Sequence, residues 1–164
     1  MLDHYPGLFH TFYKSTIFVV AKPDKGGTLL SQAHANLTVT QGSQSRLSYS
    51  SSFTDVYKQI QWPQVQTASF SNSNKAALYT LIRSGDQSGE TQLFVNGQQL
   101  DQAKAFPFHK TSPIEAYVGA AYRGRNHWQG EIAEIIVYNR ALGTQEFDRV
   151  ISYLAEKYGI SIEN

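Results

Sequence analysis

Trp128-Gln129-Gly130-Glu131-Ile132-Ala133-Glu134-Ile135-Ile136-Val137-Tyr138-Asn139-Arg140-Ala141-Leu142 runs from an apolar segment into a short polar break. Residues 132–138 are β-branched and aromatic enough to read as a strand. Beyond the break, Phe147, Val150, Ile151, Leu154 and Tyr158 recur at the spacing of a single helix face. Gly143 stands where an N-cap would, and Glu146, three residues on, can reach back to the cap N–H. Lys157 suits the negative end of the helix dipole, and Gly159 is placed to end the helix in the left-handed conformation. The chain is therefore expected to finish as strand, short turn and amphipathic helix over about 144–158, the helix covering one end or face of what precedes it.

Upstream, Thr16-Ile17-Phe18-Val19-Val20-Ala21 is apolar on both alternating faces, as a central strand buried on two sides would be. Lys22-Pro23-Asp24-Lys25-Gly26-Gly27 is a dense turn signal, expected to stop that strand before Thr28-Leu29-Leu30 resumes. Leu37-Thr38-Val39-Thr40 and Arg46-Leu47-Ser48-Tyr49-Ser50 alternate, so each has one dry and one wet face. Residues 51–66, interrupted by Trp62-Pro63, read as a long loop, and 76–83 as another buried run. Leu93-Phe94-Val95-Asn96-Gly97-Gln98-Gln99-Leu100 is a hairpin signature, because Asn-Gly readily adopts the two positive φ values of a type I′ turn. Residues 116–120 supply a further strand. Roughly eight to ten short strands between turns mean a β-sandwich or barrel.

The 164 residues suit one domain, 1–164, and 41% hydrophobic content is enough for a packed core. A net charge of +1 lacks the basic stripe that nucleic acid requires. Without cysteine there is no disulfide, thiolate metal site or cysteine nucleophile. No run of about 18 apolar residues offers a membrane span. The opening MLDHYPGLFHTFYK shows no basic-then-apolar signal peptide.

The 128–142 segment, Tyr153-Leu154-Ala155-Glu156-Lys157-Tyr158-Gly159, Thr16-Ile17-Phe18-Val19-Val20-Ala21-Lys22-Pro23 and Phe94-Val95-Asn96-Gly97 together resemble bacterial laminin-G-like, concanavalin A-like jelly-roll modules. The likeness covers most of residues 15–160. It implies an all-β fold, a two-sheet antiparallel β-sandwich (jelly roll) with one C-terminal α-helix, and an extracellular or cell-surface setting. Such modules usually have Ser where this chain has Gly143, and a strand or two before the first strand found here. Either the first strand is short, or the chain is a fragment, or a partner or second copy completes an unpaired edge. The resemblance also implies Ca²⁺ near a binding rim, but Asp24 and Asp86 stand alone and no metal ligands can be assigned.

Because the superfamily includes glycosidases, a pair of carboxylates about 5–10 Å apart on one surface is the feature to seek. Glu131 and Glu134 lie three apart on a strand and are expected on opposite faces, Glu134 serving as a structural bond to a loop or the helix. Asp55, Asp86 and Asp101 fall singly in predicted turns. His4, His10, His34, His109 and His127 have no metal-ligand spacing, no Gly-x-Ser-x-Gly elbow occurs, and Gly26-Gly27 leads into a strand rather than a phosphate-binding helix. The expectation is a non-catalytic module that binds a poly- or oligosaccharide through aromatic faces, amides and charged groups. Its candidate ligand-binding residues are Tyr122, Arg123, Arg125, Asn126 and His127, with Tyr57 and Trp62 as a second aromatic pair. Trp128 is expected in the core, and Trp62 equally suits a lid over it. The competing readings are a structural or protein-interaction domain without sugar binding and a divergent polysaccharide hydrolase or lyase.

Overall fold

The computed structural model of the chain describes residues 14–32, 35–54, 61–71, 74–84, 90–104, 116–121 and 124–162. These form β1 (Ser15–Gln32), β2 (Ala35–Thr40), β3 (Ser45–Thr54), β4 (Gln61–Phe70), β5 (Ala77–Arg83), β6 (Glu90–Val95), β7 (Gln98–Lys104), β8 (Ala116–Val118), β9 (Gln129–Tyr138) and α1 (Thr144–Tyr158).

β1 belongs to two sheets. Its residues 15–21 pair with β5, as in Ile17↔Leu81 and Val19↔Tyr79. On the other side the same stretch pairs with β9, as in Thr16↔Tyr138. Past a break in register, residues 26–32 pair with β2, and Leu30, Ser31 and Gln32 pair with β8. Pairing continues from β2 to β3 to β4 and from β5 to β6 to β7, every ladder antiparallel. One sheet is therefore β9-β1-β5-β6-β7 and the other β8-β1-β2-β3-β4.

The expected turn at residues 22–27 is instead a bend inside one continuous strand. Gly26 and Gly27 take φ values of 87° and 129° there, and Pro23, which has no N–H to give, sits where the pairing shifts register. Turn-forming residues mark a change of direction, and here the change redirects the strand without reversing it.

The inner faces of the two sheets enclose the main core. Ile17, Val19, Tyr79, Leu81 and Leu93 from one sheet join Leu37, Val39, Leu47 and Tyr49 from the other in one buried cluster. The opposite face of the first sheet carries Phe18, Val20, Leu78, Ile82 and Phe94, and α1 lays Phe147, Ile151 and Leu154 on it. Phe147 sits 4.8 Å from Phe94 and 5.8 Å from Phe18, centroid to centroid. The stripe foreseen in the sequence is thus the face that packs, and β1 is buried on both sides because it lies between two cores. Gly143 caps the helix start, and Gly159, at φ 63°, ends it.

Two other expectations change. The long loop expected over residues 51–66 is mostly strand, β3 and β4 pairing from Ser45↔Phe70 to Thr54↔Gln61. Pro63 is accommodated because β4 is the outermost strand of its sheet. The strand expected over residues 116–120 ends at Val118, where Gly119 turns to φ 74°. The Asn96-Gly97 hairpin is present as read, with φ 51° and 85°. Asn96 Oδ1 accepts the Leu78 N–H at 2.9 Å, tying the turn to β5. The N-terminal stretch on which an added edge strand would depend lies outside the described residues.

Candidate functional site

The connection from β8 to β9 is a tight excursion that returns on itself. Trp128 N–H donates to Gly119 C=O at 2.8 Å, Ala121 N–H to Arg125 C=O at 2.7 Å, and Gly124 N–H to Ala121 C=O at 3.0 Å. Its returning limb is bound to the bend of β1. Thr28 N–H donates to Asn126 C=O at 3.0 Å, and Asn126 Nδ2 donates to Thr28 Oγ1 at 2.9 Å. Asn126 makes this possible by adopting φ 44°, a conformation that asparagine tolerates better than most residues with a side chain.

Close approach of backbones completes the anchorage. A Cβ on Gly27 would stand 2.3 Å from the His127 carbonyl oxygen, so only glycine lets the loop settle there. Trp128 follows, half-buried and packed on the main core, as expected of it. Arg125, Asn126 and His127 are left exposed on a rim of fixed backbone. The structure thus brings these three together, although Asn126 already uses one amide donor on Thr28. Tyr57, Tyr122 and Arg123 lie outside the described residues, and Trp62 is described only by its backbone, opposite Phe53 on β4.

The acidic residues are arranged differently from the expectation. Val20 pairs with Glu134 but Ala21 pairs with Ile132, so Ala133 is an extra residue in β9 and a bulge. The bulge resets the alternation and puts Glu131, opposite Lys22, on the same outer face as Glu134. Glu134 is nevertheless committed to the helix, one of the two structural roles expected of it. Its Oε2 accepts from Lys157 Nζ at 3.0 Å and from Tyr158 OH at 2.9 Å. Those bonds, the one from Lys157 foremost, hold its carboxyl below the usual carboxylate range. Glu131 is 80% exposed and 3.9 Å from Lys22 Nζ.

Among the described residues no three His, Asp or Glu side chains gather as a metal site would require. Thr28 is the site residue that the sequence did not reveal, because its partner lies 98 residues away in the chain.

The two-sheet jelly roll with its anchored rim loop defines a lectin-type sandwich. The chain belongs to the concanavalin A-like lectin/glucanases superfamily, whose laminin-G-type family model matches residues 11–147. Comparison with curated protein sequences finds no match. Among solved structures, the heptameric SAP-like pentraxin of Limulus polyphemus is similar at TM-score 0.67 and 13% identity, over 85% of this chain and 70% of the pentraxin. Domain 4 of AbnA, an extracellular GH43 arabinanase from Geobacillus stearothermophilus solved with arabinotriose, gives TM-score 0.62 and 13% identity over 85% and 66%. A botulinum neurotoxin type C structure, described by its interaction with two ganglioside molecules, gives 0.62 and 12% over 90% of this chain. The chain spans only 37% of that neurotoxin structure. At these identities the likeness is one of fold, and the similar structures are mostly binding domains.

Proposed function

We propose that this chain is a non-catalytic carbohydrate-binding module of a secreted bacterial protein, taking a poly- or oligosaccharide through Tyr122, Arg123, Arg125, Asn126 and His127. Tyr57 and Trp62 would supply further aromatic surface. The observation that carries the reading is the pair of hydrogen bonds between Asn126 and Thr28, which holds the backbone of the returning limb while leaving Arg125 and His127 facing solvent. A fixed loop with donors facing outward loses little freedom when it engages an array of sugar hydroxyls. The arabinotriose and ganglioside of the similar structures support sugars as the ligand class. Fold likeness is an analogy rather than a mechanism.

The test is a glycan array screened with Ca²⁺ and again with EDTA, followed by titration of any hit against Tyr122→Ala and Arg125→Ala. Binding to one sugar class that weakens in both folded variants supports the site. Unchanged affinity in both removes it, and a blank array from folded protein removes the sugar-binding reading itself.

An assembly role is favoured by one observation. Among the described residues β9 pairs only with β1, and a second chain could add a strand along the other side of this ten-residue strand. Light scattering that finds only monomer at high concentration would reject self-association through that edge.

A further inference from the structure

We infer that the molecule has a second ligand pocket, at the end of the sandwich beneath the C-terminus of α1, shaped for a single terminal sugar residue. It rests on the carbohydrate-binding reading but not on the rim loop. A cavity of about 330 Å³ opens there. That volume lies at the lower end of the roughly 300–1,000 Å³ typical of ligand pockets.

Four separate elements build the walls. Phe70 closes β4, Ala77 opens β5, Val95 and Asn96 turn from β6 into β7, and Gly159 caps the helix. Phe70 packs against the main core, and Ala77 and Val95 belong to it, so these walls are held by the core. The polar lining comes from Ser71, Asn96 and Ser161, with Lys75 beside them and no acidic side chain. Asn96 is held in place because its Oδ1 accepts from Leu78 N–H and its own N–H donates to Leu78 C=O at 2.8 Å. That leaves the Nδ2 donors of a fixed amide for an occupant.

A largely polar cleft that also offers the side chains of Phe70 and Tyr158 suits a sugar ring, whose C–H face can rest on carbon while its hydroxyls exchange bonds with the walls. The size admits one ring rather than a chain, so the pocket would take the end unit of a glycan. The rim loop, anchored at Thr28 on β1, is built from other elements: β4 lies three strands from β1 in the sheet order. The two sites therefore share no residue.

The test is a ¹H–¹⁵N NMR titration with free D-glucose, D-galactose, D-mannose and L-arabinose, each added separately. With at least one sugar, the Asn96 side-chain amide and the Gly159 and Ser161 amides are expected to shift in a saturable manner. Ala76→Phe, at an exposed position on the pocket wall, should abolish those shifts by filling the space, whereas Arg125→Ala should leave them intact. Ser161→Ala should weaken binding severalfold without changing the rest of the spectrum. No saturable shift at these amides with any of the four sugars overturns the pocket. Shifts confined to residues 125–127 would overturn it while sparing the rim, and pocket shifts with an unresponsive rim would do the reverse.

Discussion

Asn126 and Thr28 are joined twice, backbone to backbone and side chain to side chain, across 98 residues of chain. The pair fastens the β8–β9 loop to the bend of β1, so the geometry of the proposed glycan rim depends on a residue in another part of the fold. Thr28 itself is fully buried and lies 3.4 Å from Thr38 Oγ1, within hydroxyl contact on β2.

Asn126→Ala is expected to destabilise the fold by about 1–2 kcal/mol, since it removes a hydrogen bond and strains a left-handed backbone. Asn126→Gly should lose less, because glycine accepts φ 44° while still lacking the amide. Denaturant melts of the two variants separate the contributions. Equal losses would mean that the backbone conformation contributes nothing.

Gly27→Ala should be worse than either. The added Cβ would lie 2.3 Å from the His127 carbonyl oxygen and the φ of 129° is strained for alanine. A loss of at least about 2–3 kcal/mol is expected, with altered NMR shifts at His127 and Trp128. A variant as stable as the parent would show that the loop can lift away from β1.

Thr80→Val should stabilise the protein. Thr80 is fully buried on β5, and its Oγ1 has no partner among the described residues. Replacing an unsatisfied hydroxyl by a methyl of the same shape removes a desolvation penalty of about 1–3 kcal/mol, which calorimetry would read as a higher melting temperature. An unchanged or lower value would indicate that the hydroxyl is bonded in solution.

Acid should loosen the start of α1. Arg140 donates to both oxygens of Glu146, at 2.5 and 2.6 Å, and pulls its carboxyl from 4.5 down to about 2. A carboxyl with a depressed folded pKa contributes stability above its unfolded pKa and loses it as pH falls through the folded one. The contribution is therefore lost between about pH 4.5 and 2. Glu146→Gln should flatten stability against pH in that window, lowering stability above it, neutrality included, and changing little below it. An unaltered acid limb would assign the dependence to other groups, Glu134 first, whose carboxyl Lys157 and Tyr158 also hold low.

Local rules carried much of this fold. The helix is found where its apolar spacing and glycine cap placed it, and the Asn-Gly hairpin where its dihedral demands did. Sequence reading failed where one residue's meaning depended on a distant neighbour. Residues 22–27 look like a turn until β2 and β9 are there to pair on either side of the bend. Alternation along β9 misplaced Glu131 because the bulge at Ala133 exists only in register with β1. Of the rim, the residue types were legible, but Thr28 was not, and the pocket beneath α1 gathers segments from four regions that no local pattern connects.

Because β1 is hydrogen-bonded into both sheets, the sandwich has no seam along which its layers could part. Peeling either sheet away means tearing the strand that threads the other, and the helix rests on that same strand through Phe18 and Val20. Melting should accordingly proceed as one event, with calorimetric and van't Hoff enthalpies in agreement. Amide protons on residues 16–21 should then exchange only when the whole molecule opens.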